Sequence, residues 1–577
     1  MNRKKLTALI LAVMMALLVV AGCSKQESAQ APPQPKEQTQ AKRDVIASQG
    51  VVSAAHPLAA NIGLEVLKKG GNAIDAAIAT SFALGVVEPA NSGIGGGGFA
   101  IVYVAKEKKS YVVDFREVAP AKATPDMYKL DEKGKVVNNA SITGYKAVAV
   151  PGHVRGMEMM LQKFGTMKWA DLIRPSIEQA EAGLTVPSVL NRALIDELGR
   201  VSAAPSKDWF LKAFYKDGLP PEIGDKVKNP ELAGTLKKIA AGGADVFYTG
   251  EIADAIAREF AKPGADGWIT KEDLAKYKPI LREPVQGDYR GYTFVTLPPP
   301  SSGGVTMLEM LNVLSGYDVA KMGAGSADFL QAAIETQKLA FADRAQYMAD
   351  PDFVKVPLAG LSSKAFAEER RNLIDLQKAR DDIKAGEPGK YESGNTTSFS
   401  IIDKEGNMVT ITQTINYFLG AVVVPEGTGI LMNDEMDDFS PNPKSVNCPE
   451  PGKRPLSSMS PTIVLKDGKP FMTLGSPGAT RILTAITNTV MNVVDFKMDM
   501  QAAIDAPRFH NTNSPKTVVE SRLSPEILKN LEARGQKFEV KGPMDLYFGG
   551  VHAIMIMPDG KLHGGADPRR DGVAVGY

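Results

Sequence analysis

Cysteine is nearly absent from this chain of 577 residues, which has only Cys23 and Cys448. Two cysteines cannot form a disulfide framework, and no paired Cys/His spacing indicates zinc, so the sequence predicts no metal site. The five histidines lie in no recognisable nucleophile-elbow or metalloprotease motif. A formal net charge of +1 leaves no basic field that would bind nucleic acid or an anionic membrane surface.

The chain has the composition of a large globular protein. Hydrophobic residues make up 44% and charged residues 23%, which supplies ample apolar material for a core. No low-complexity linker divides the sequence after residue 43. We therefore expect one continuous body from residue 44 onwards.

The N-terminus is typical of an export signal. Basic residues 3–5 precede an apolar run over 6–20 that is too short to span a bilayer comfortably but suits a signal-peptide core. The sequence Val20-Ala21-Gly22-Cys23 resembles a bacterial lipobox, which predicts a lipoprotein signal peptide over 1–22 and a lipid on Cys23. An ordinary signal peptide with a chance cysteine is the alternative. Residues 23–43 are rich in Gln, Pro, Lys and Ser and predict a flexible tether.

Apolar periodicity predicts helices over 57–67 and from 73 towards 86. The following segment, Gly93 to Gly98, formally matches the dinucleotide fingerprint G-x-G-x-x-G. That fingerprint should follow a strand and open a helix, whereas these glycines follow a helix and lead into the strand-like run 99–104. The pattern indicates a tight loop, not a nucleotide site.

Two alternating segments, 397–403 and 408–416, are separated by turn-forming residues and predict a β-hairpin. Period-2 geometry places hydroxyl side chains together on one face of each strand. Threonine is also a good strand former, so a purely structural role is the alternative for most of these positions. The hydroxyl positions are Thr396, Ser398 and Ser400 on the first strand, and Thr410, Thr412 and Thr414 on the second.

Several specific motifs follow one another along the chain: Asp114 to Glu117 with Ala119-Pro120, Pro298 to Gly304, Asn395-Thr396-Thr397, Asn433 to Phe439, Arg454 to Pro461, Gly475 to Gly478, and Asp567 to Tyr577. With these motifs, the sequence from about residue 45 to the C-terminus resembles the γ-glutamyltranspeptidase family. The resemblance implies an α+β fold, the four-layer αββα sandwich of N-terminal-nucleophile hydrolases, with no cofactor. It also implies self-cleavage before a threonine and transfer of γ-glutamyl groups from glutathione and related amides to water or amino acids.

By this resemblance, cleavage between Asn395 and Thr396 divides the precursor into a large subunit, 44–395, and a small catalytic subunit, 396–577. The two subunits would associate as a heterodimer within one interlaced body. Thr396 would then carry a free α-amine beside its own hydroxyl. Because a terminal amine has a pKa of about 7.7–8.0, it can accept the hydroxyl proton with no histidine required. Thr414 matches the family position that orients this nucleophile.

A γ-glutamyl group carries an α-carboxylate and an α-ammonium, and each needs charged or multiple hydrogen-bonding partners when it is buried. The family match assigns Arg116, Ser457 and Ser458 to the carboxylate. Asn416, Glu435 and Asp438 are assigned to the ammonium. The backbone N–H groups of Gly478 and Ala479 would stabilise the oxyanion that forms on acylation.

The sequence departs from the family pattern in three places. Many members have histidine where this chain has Ser398, and glycine where it has Ala479. The segment between Asp438 and Ser457 is short compared with members that carry a lid loop, so an open pocket that would admit long acceptors or polymeric γ-glutamate is expected. Two alternatives stay open: an amidase for poly-γ-glutamate or glutaryl amides, and a lipid-anchored binding protein that has lost catalysis.

Overall fold

The computed structural model describes residues 42–383 and 396–577, and residues 42–577 belong to one compact unit. The predicted signal peptide, the lipidation residue Cys23 and the processing residue Asn395 lie outside the described residues. The carbonyl groups of Lys42 and Arg43 accept hydrogen bonds from Ala574 and Ala566. Within the described ranges, no helix is long and apolar enough to cross a membrane.

Nineteen strands are formed by the described residues. They are β1 (Asp44–Ala47), β2 (Val51–Ala54), β3 (Gly97–Val104), β4 (Lys109–Phe115), β5 (Leu184–Thr185), β6 (Lys226–Val227), β7 (Ile280–Arg282), β8 (Val285–Tyr289), β9 (Tyr292–Thr296), β10 (Thr396–Ile402), β11 (Met408–Thr414), β12 (Thr462–Lys466), β13 (Lys469–Gly475), β14 (Phe509–His510), β15 (Thr517–Glu520), β16 (Phe538–Lys541), β17 (His552–Ile556), β18 (Leu562–Ala566) and β19 (Val573–Gly576).

The α-helices of the same residues are α1 (Pro57–Lys68), α2 (Ala73–Val87), α3 (His153–Phe164), α4 (Trp169–Ala182), α5 (Ser188–Ala203), α6 (Lys207–Phe214), α7 (Pro230–Gly242), α8 (Asp245–Tyr248), α9 (Glu251–Phe260), α10 (Lys271–Lys276), α11 (Gly303–Leu314), α12 (Val319–Met322), α13 (Ala327–Tyr347), α14 (Leu358–Leu361), α15 (Lys364–Arg371), α16 (Arg481–Val494), α17 (Met500–Asp505) and α18 (Pro525–Ala533). The helices predicted over 57–67 and 73–86 are thus confirmed as α1 and α2.

Two seven-stranded sheets face each other, and helices cover both outer faces. One sheet has the order β19-β2-β10-β11-β3-β4-β7, and the other has the order β1-β18-β17-β13-β12-β9-β8. Helices α1, α2 and α3 pack on the first sheet, while α11, α16 and α17 pack on the second. The predicted α+β, four-layer αββα architecture is therefore confirmed.

The predicted hairpin is formed by β10 and β11, which lie at the centre of the first sheet. Their antiparallel register pairs Thr396 with Thr414, and the following hydroxyl residues pair in the same way. Directly paired residues share a face, so all six predicted hydroxyl side chains lie together on the face that meets the second sheet. Further along, the same face becomes apolar with the pair Ile402 and Met408. The hydroxyl stretch therefore marks one end of the sandwich, and that end holds the candidate site.

The glycine segment before β3 forms a close-packed turn, as predicted. A Cβ at Gly96 would lie 1.9 Å from the carbonyl oxygen of Thr414, and a Cβ at Gly95 would lie 2.2 Å from that of Leu431. Side chains at these positions would push the backbone of β11 and its neighbours apart. The glycines allow the chain to pass beside the end of β11.

Candidate active site

A small cavity opens at the hydroxyl end of β10 and β11. Eight of the ten predicted catalytic and substrate-binding residues line it. Of the other two, Arg116 hydrogen-bonds to Glu435 and Asp438 in the lining, and Gly478 directly precedes Ala479. The lining residues are Arg344, Thr396, Thr414, Asn416, Glu435, Asp438, Leu456, Ser457, Ser458, Met459, Ala479 and Ile482.

Thr396 is the first residue of β10 and is buried at the wall of this cavity. Its hydroxyl lies 3.4 Å from the hydroxyl of Thr414, to which it donates. The Thr414 hydroxyl also accepts a 2.8 Å hydrogen bond from the backbone N–H of Asn416. The chain turns sharply here, with Asn416 in the left-handed region at φ 71°. This turn therefore fixes Thr414 opposite the candidate nucleophile.

Arg116 is completely buried at the end of β4 and is surrounded by carboxyl groups. It donates to Glu435 and Asp438, and a carboxylate oxygen of Glu117 lies 3.6 Å from its Nη1. Burial works against the guanidinium charge, but the three carboxyl groups together keep the pKa of Arg116 above its usual value. Burial raises the pKa of Glu117 to about 7. Burial raises the pKa of Glu435 as well. A cationic group bound beside these carboxyl groups would favour their ionised form, so the cluster suits a cation.

The loop that carries Ser457 and Ser458 is held by the turn before α11. The carbonyl oxygen of Ser457 accepts hydrogen bonds from the backbone N–H and the hydroxyl of Ser302, at 2.8 and 2.7 Å. Arg344 on α13 reaches across both segments and donates to the hydroxyl of Ser302 at 2.7 Å and to that of Ser458 at 2.9 Å. The proline-rich segment 298–302, which leads into α11, therefore supports this serine loop.

Gly478 and Ala479 form the turn before α16. Both have left-handed backbone torsions, with φ 125° for Gly478 and 51° for Ala479. Their carbonyl groups accept hydrogen bonds from Arg481 and Ile482 at the start of the helix. Their N–H groups make no hydrogen bond within residues 42–383 and 396–577. Two free N–H groups beside a helix N-terminus are a suitable binding place for a developing oxyanion.

Ser398, where many family members have histidine, is buried between the two sheets. Its hydroxyl donates to the carbonyl oxygen of Ile411 at 3.1 Å and lies 3.2 Å from the hydroxyl of Thr412. It faces β13 at Gly475, where a Cβ would lie 2.2 Å from the Ser398 oxygen. Ser398 is therefore packed and hydrogen-bonded between the sheets, two residues along β10 from Thr396 at the cavity wall.

Arg344 lines the cavity but has no functional motif around it in the sequence. It lies in the strongly periodic helix α13, where an arginine gives no signal of its own. Its partners Ser302 and Ser458 lie 42 and 114 positions away from it in the sequence. Only the folded arrangement places it in the cavity.

Two facing sheets between helical layers, with a threonine beginning a central strand beside two free N–H groups, define the class of N-terminal-nucleophile hydrolases. The comparisons with known proteins specify the class further. Residues 59–577 match the model of the family described as gamma-glutamyltranspeptidase. This chain belongs to that family.

Named relatives and a solved structure agree with this assignment. The chain is 42% identical to a glutathione hydrolase proenzyme of Escherichia coli over 98% of both chains. It is 45% identical to a glutathione hydrolase proenzyme of Pseudomonas sp. strain A14, over 92% of this chain and 95% of that one. The crystal structure of a cephalosporin acylase from Bacillus halodurans superposes with a TM-score of 0.84 at 32% identity, covering 95% of this chain and 98% of the acylase.

Proposed function

We propose that this protein is a self-processing glutathione hydrolase that cleaves γ-glutamyl amides through Thr396. The observation that carries the proposal is the position of Thr396, which begins β10 at the cavity wall with its hydroxyl against that of Thr414. A cut before residue 396 would give this hydroxyl a free α-amine of its own. The relatives named glutathione hydrolase proenzyme support both the substrate class and the processing.

Acylation needs a base, a nucleophile and an oxyanion site. The Thr396 hydroxyl oxygen attacks the γ-carbonyl carbon, and the α-amine takes the hydroxyl proton. The N–H groups of Gly478 and Ala479 hold the negative oxygen of the tetrahedral intermediate. The same proton then passes to the leaving amine as the amide bond breaks, which leaves a γ-glutamyl ester on Thr396. Water or the amine of an amino acid resolves this ester and restores the hydroxyl.

The charges around the cavity suit the two ends of a glutamyl group. Glu435, Asp438 and the side-chain oxygen of Asn416 bind the α-ammonium; the amide nitrogen of Asn416 is already engaged with the carbonyl oxygen of Asp434, at 3.1 Å. Ser457, Ser458 and Arg116 bind the α-carboxylate. Binding of the ammonium between Glu435 and Asp438 competes with their bonds to Arg116, which releases the guanidinium towards the carboxylate.

The processed molecule would consist of a large subunit, 44–395, and a small subunit, 396–577. They would remain together as a heterodimer, because β10 and β11 of the small subunit are paired with β2 and β3 of the large one.

The N-terminal signal supports export. We also propose that a lipid on Cys23 anchors the enzyme in the periplasm or on the cell surface, with the outer membrane favoured because Ser24 is not the aspartate of inner-membrane retention.

Thr396→Ala tests the proposal, because it removes both the nucleophile and the group that cuts the precursor. Wild-type protein should give two chains by intact mass, with the smaller one beginning at Thr396, and the variant should stay uncut and release no glutamate from glutathione. Thr489→Ala is a matched control, since Thr489 is a buried threonine of α16 whose hydroxyl donates to the carbonyl group of Ala485 in its own helix. A wild-type protein that binds glutathione but is neither cut nor active would instead favour the binding-protein alternative.

A glutaryl amidase is the second candidate, favoured by the likeness to the cephalosporin acylase. A glutaryl group has the same carboxylate spacing but lacks the α-ammonium. The carboxylates of Glu435 and Asp438 in the cavity wall therefore favour a γ-glutamyl donor. Comparing kcat/KM for γ-glutamyl-p-nitroanilide and glutaryl-p-nitroanilide separates the candidates. Chains of poly-γ-glutamate offered in the same assay test whether the short segment after Asp438 admits long donors.

A further inference from the structure

The turn that follows α2, residues 88–92, touches both strands of the catalytic hairpin. The hydroxyl of Thr397, the residue after the nucleophile, donates to the Glu88 carboxylate. Three residues later in the turn, the carbonyl oxygen of Asn91 accepts a 3.2 Å hydrogen bond from the N–H of Ile415, which follows Thr414. The turn therefore joins the two strand ends at which Thr396 and Thr414 face each other.

The first residues of β10 depend on this contact. Strand β11 pairs with all of β10, whereas β2 pairs with β10 only from Phe399 to Ile402. Residues 396–398 thus have a paired strand on one side only. Once the bond before Thr396 is cut, the nucleophile is a chain end, and chain ends fray unless they are tied down. The hydrogen bond from the Thr397 hydroxyl to Glu88 holds the strand one residue after the nucleophile.

Glu88 is a buried carboxyl group with few charged neighbours. It is 5% exposed, and besides Thr397 it accepts a 3.4 Å contact from the Asn91 amide. The charges that face it are Arg570 and Asp571 of the C-terminal segment. Arg570 is buried too, and its Nε and Nη1 have no hydrogen-bond partner among the described residues. It therefore supplies a positive charge near Glu88 without a direct ion pair.

We propose that Glu88 is a positioning residue for the reaction, which holds Thr396 in place through Thr397 and does so more firmly when its carboxylate is ionised. An ionised acceptor forms a charge-assisted bond about twice as strong as a neutral one, and a protonated Glu88 would itself compete as a donor. Burial raises the pKa of Glu88 to about 7, so its charge changes in the working range. This inference rests on the proposed function of Thr396.

The test is the pH profile of kcat for γ-glutamyl-p-nitroanilide between pH 6 and 8.5 in wild type and Glu88→Gln. Glutamine keeps the shape of the side chain and an acceptor oxygen but cannot ionise. At pH 8 we expect kcat of the variant to be about five- to tenfold lower, with KM little changed, because positioning of the nucleophile affects the chemical step. At pH 6, where Glu88 is protonated in wild type, the two rates should converge.

Glu309→Gln is the matched control. Glu309 is also buried, and burial raises its pKa to about 8, but it lies on α11 with Arg370 as its charged neighbour. Its kcat should follow wild type at every pH. A Glu88→Gln profile that runs parallel to wild type, with the same ratio at pH 6 and pH 8, would overturn the inference, because a purely structural loss does not depend on this ionisation.

A second pair of variants tests the same contact from the other side. Thr397→Val removes the hydroxyl and should lower kcat at pH 8 about as much as Glu88→Gln, while Thr397→Ser keeps the hydroxyl and should retain the wild-type rate. The double variant, Glu88→Gln with Thr397→Val, should lose no more than either single variant. If wild type itself is uncut or inactive, the proposed function fails; if wild type is active and the losses add, only the role of Glu88 fails.

Discussion

Ala479 holds a backbone conformation that suits glycine, as its φ of 51° shows. The left-handed conformation costs a residue with a Cβ about 1–2 kcal/mol, and glycine at this position would avoid that cost. The greater freedom of glycine in the unfolded chain would offset up to about 1 kcal/mol of this stabilisation. We therefore predict that Ala479→Gly raises the free energy of unfolding by up to about 1 kcal/mol. Because the N–H of residue 479 is kept, kcat should change less than about twofold. Denaturant unfolding and steady-state assays measure the two quantities.

Ala479→Val is the opposing variant. A β-branched residue at this φ is a genuine outlier, so the turn should shift and carry the N–H away from the oxyanion. Loss of one such donor lowers kcat by about 10²–10³ in other acyl-transfer enzymes. If valine leaves kcat at the wild-type value, the N–H groups of this turn do not stabilise the transition state.

At the scale of elements, the start of α11 supports the serine loop. A Cβ at Gly303 would lie 2.0 Å from the hydroxyl oxygen of Ser460 and 2.6 Å from the carbonyl oxygen of Ser458. Gly303→Ala should therefore displace the loop that offers Ser457 and Ser458 to the α-carboxylate. A hydrogen bond to a charged group is worth about 1.5–3 kcal/mol, so KM for a γ-glutamyl donor should rise about tenfold or more.

Gly234→Ala is the control for this prediction. Gly234 lies within α7, and a Cβ there would meet no atom within 4 Å. Alanine should leave KM unchanged and stabilise the helix by up to about 1 kcal/mol. Equal KM values in the two alanine variants would show that the α11 turn does not position the serine loop.

The contrast between the hairpin and its supports shows which features a sequence can predict. The alternation from Thr396 to Ile402 and from Met408 to Thr414 is local, so the pairing of hydroxyl faces follows from period 2 alone. The contact between Glu88 and Thr397 joins residues 309 positions apart and has no periodic signal. The catalytic and substrate-binding assignments came from family motifs. The roles of Arg344 and Glu88 depend on packing between elements, which no single segment encodes.

The whole molecule carries several carboxyl groups whose pKa values burial raises towards neutral pH. In the unfolded chain these groups have pKa values near 4, so the folded state binds more protons at neutral pH. Stability falls with rising pH wherever the folded state binds more protons. Burial raises the pKa to about 7 for Glu88, Glu117 and Asp437, and to about 8 for Glu309.

Four buried histidines act in the opposite direction, most strongly below about pH 6.5, where the unfolded chain binds most of their protons. Burial lowers the pKa of each, so the unfolded chain binds protons that the folded state does not, and stability falls as the pH falls through this range. Around pH 5–6 these histidines offset much of the effect of the four carboxyl groups named above. The pKa is about 4 for His56 and His552, about 3 for His153, and well below its usual value for His510.

Above pH 6.5 the unfolded chain gradually releases its histidine protons and the carboxyl groups dominate, so we predict that the free energy of unfolding falls more steeply there than near pH 5–6, by roughly 3 kcal/mol between pH 6.5 and 8. Denaturant unfolding of Thr396→Ala, which stays one chain, measures it without dissociation of subunits. Adding Glu309→Gln should make the fall shallower, because that group no longer has to ionise in the interior. A stability that rises between pH 6.5 and 8 would mean that these carboxyl groups are ionised and paired in the folded state, and the positive charges of Arg116 and Arg570 would then govern the interior.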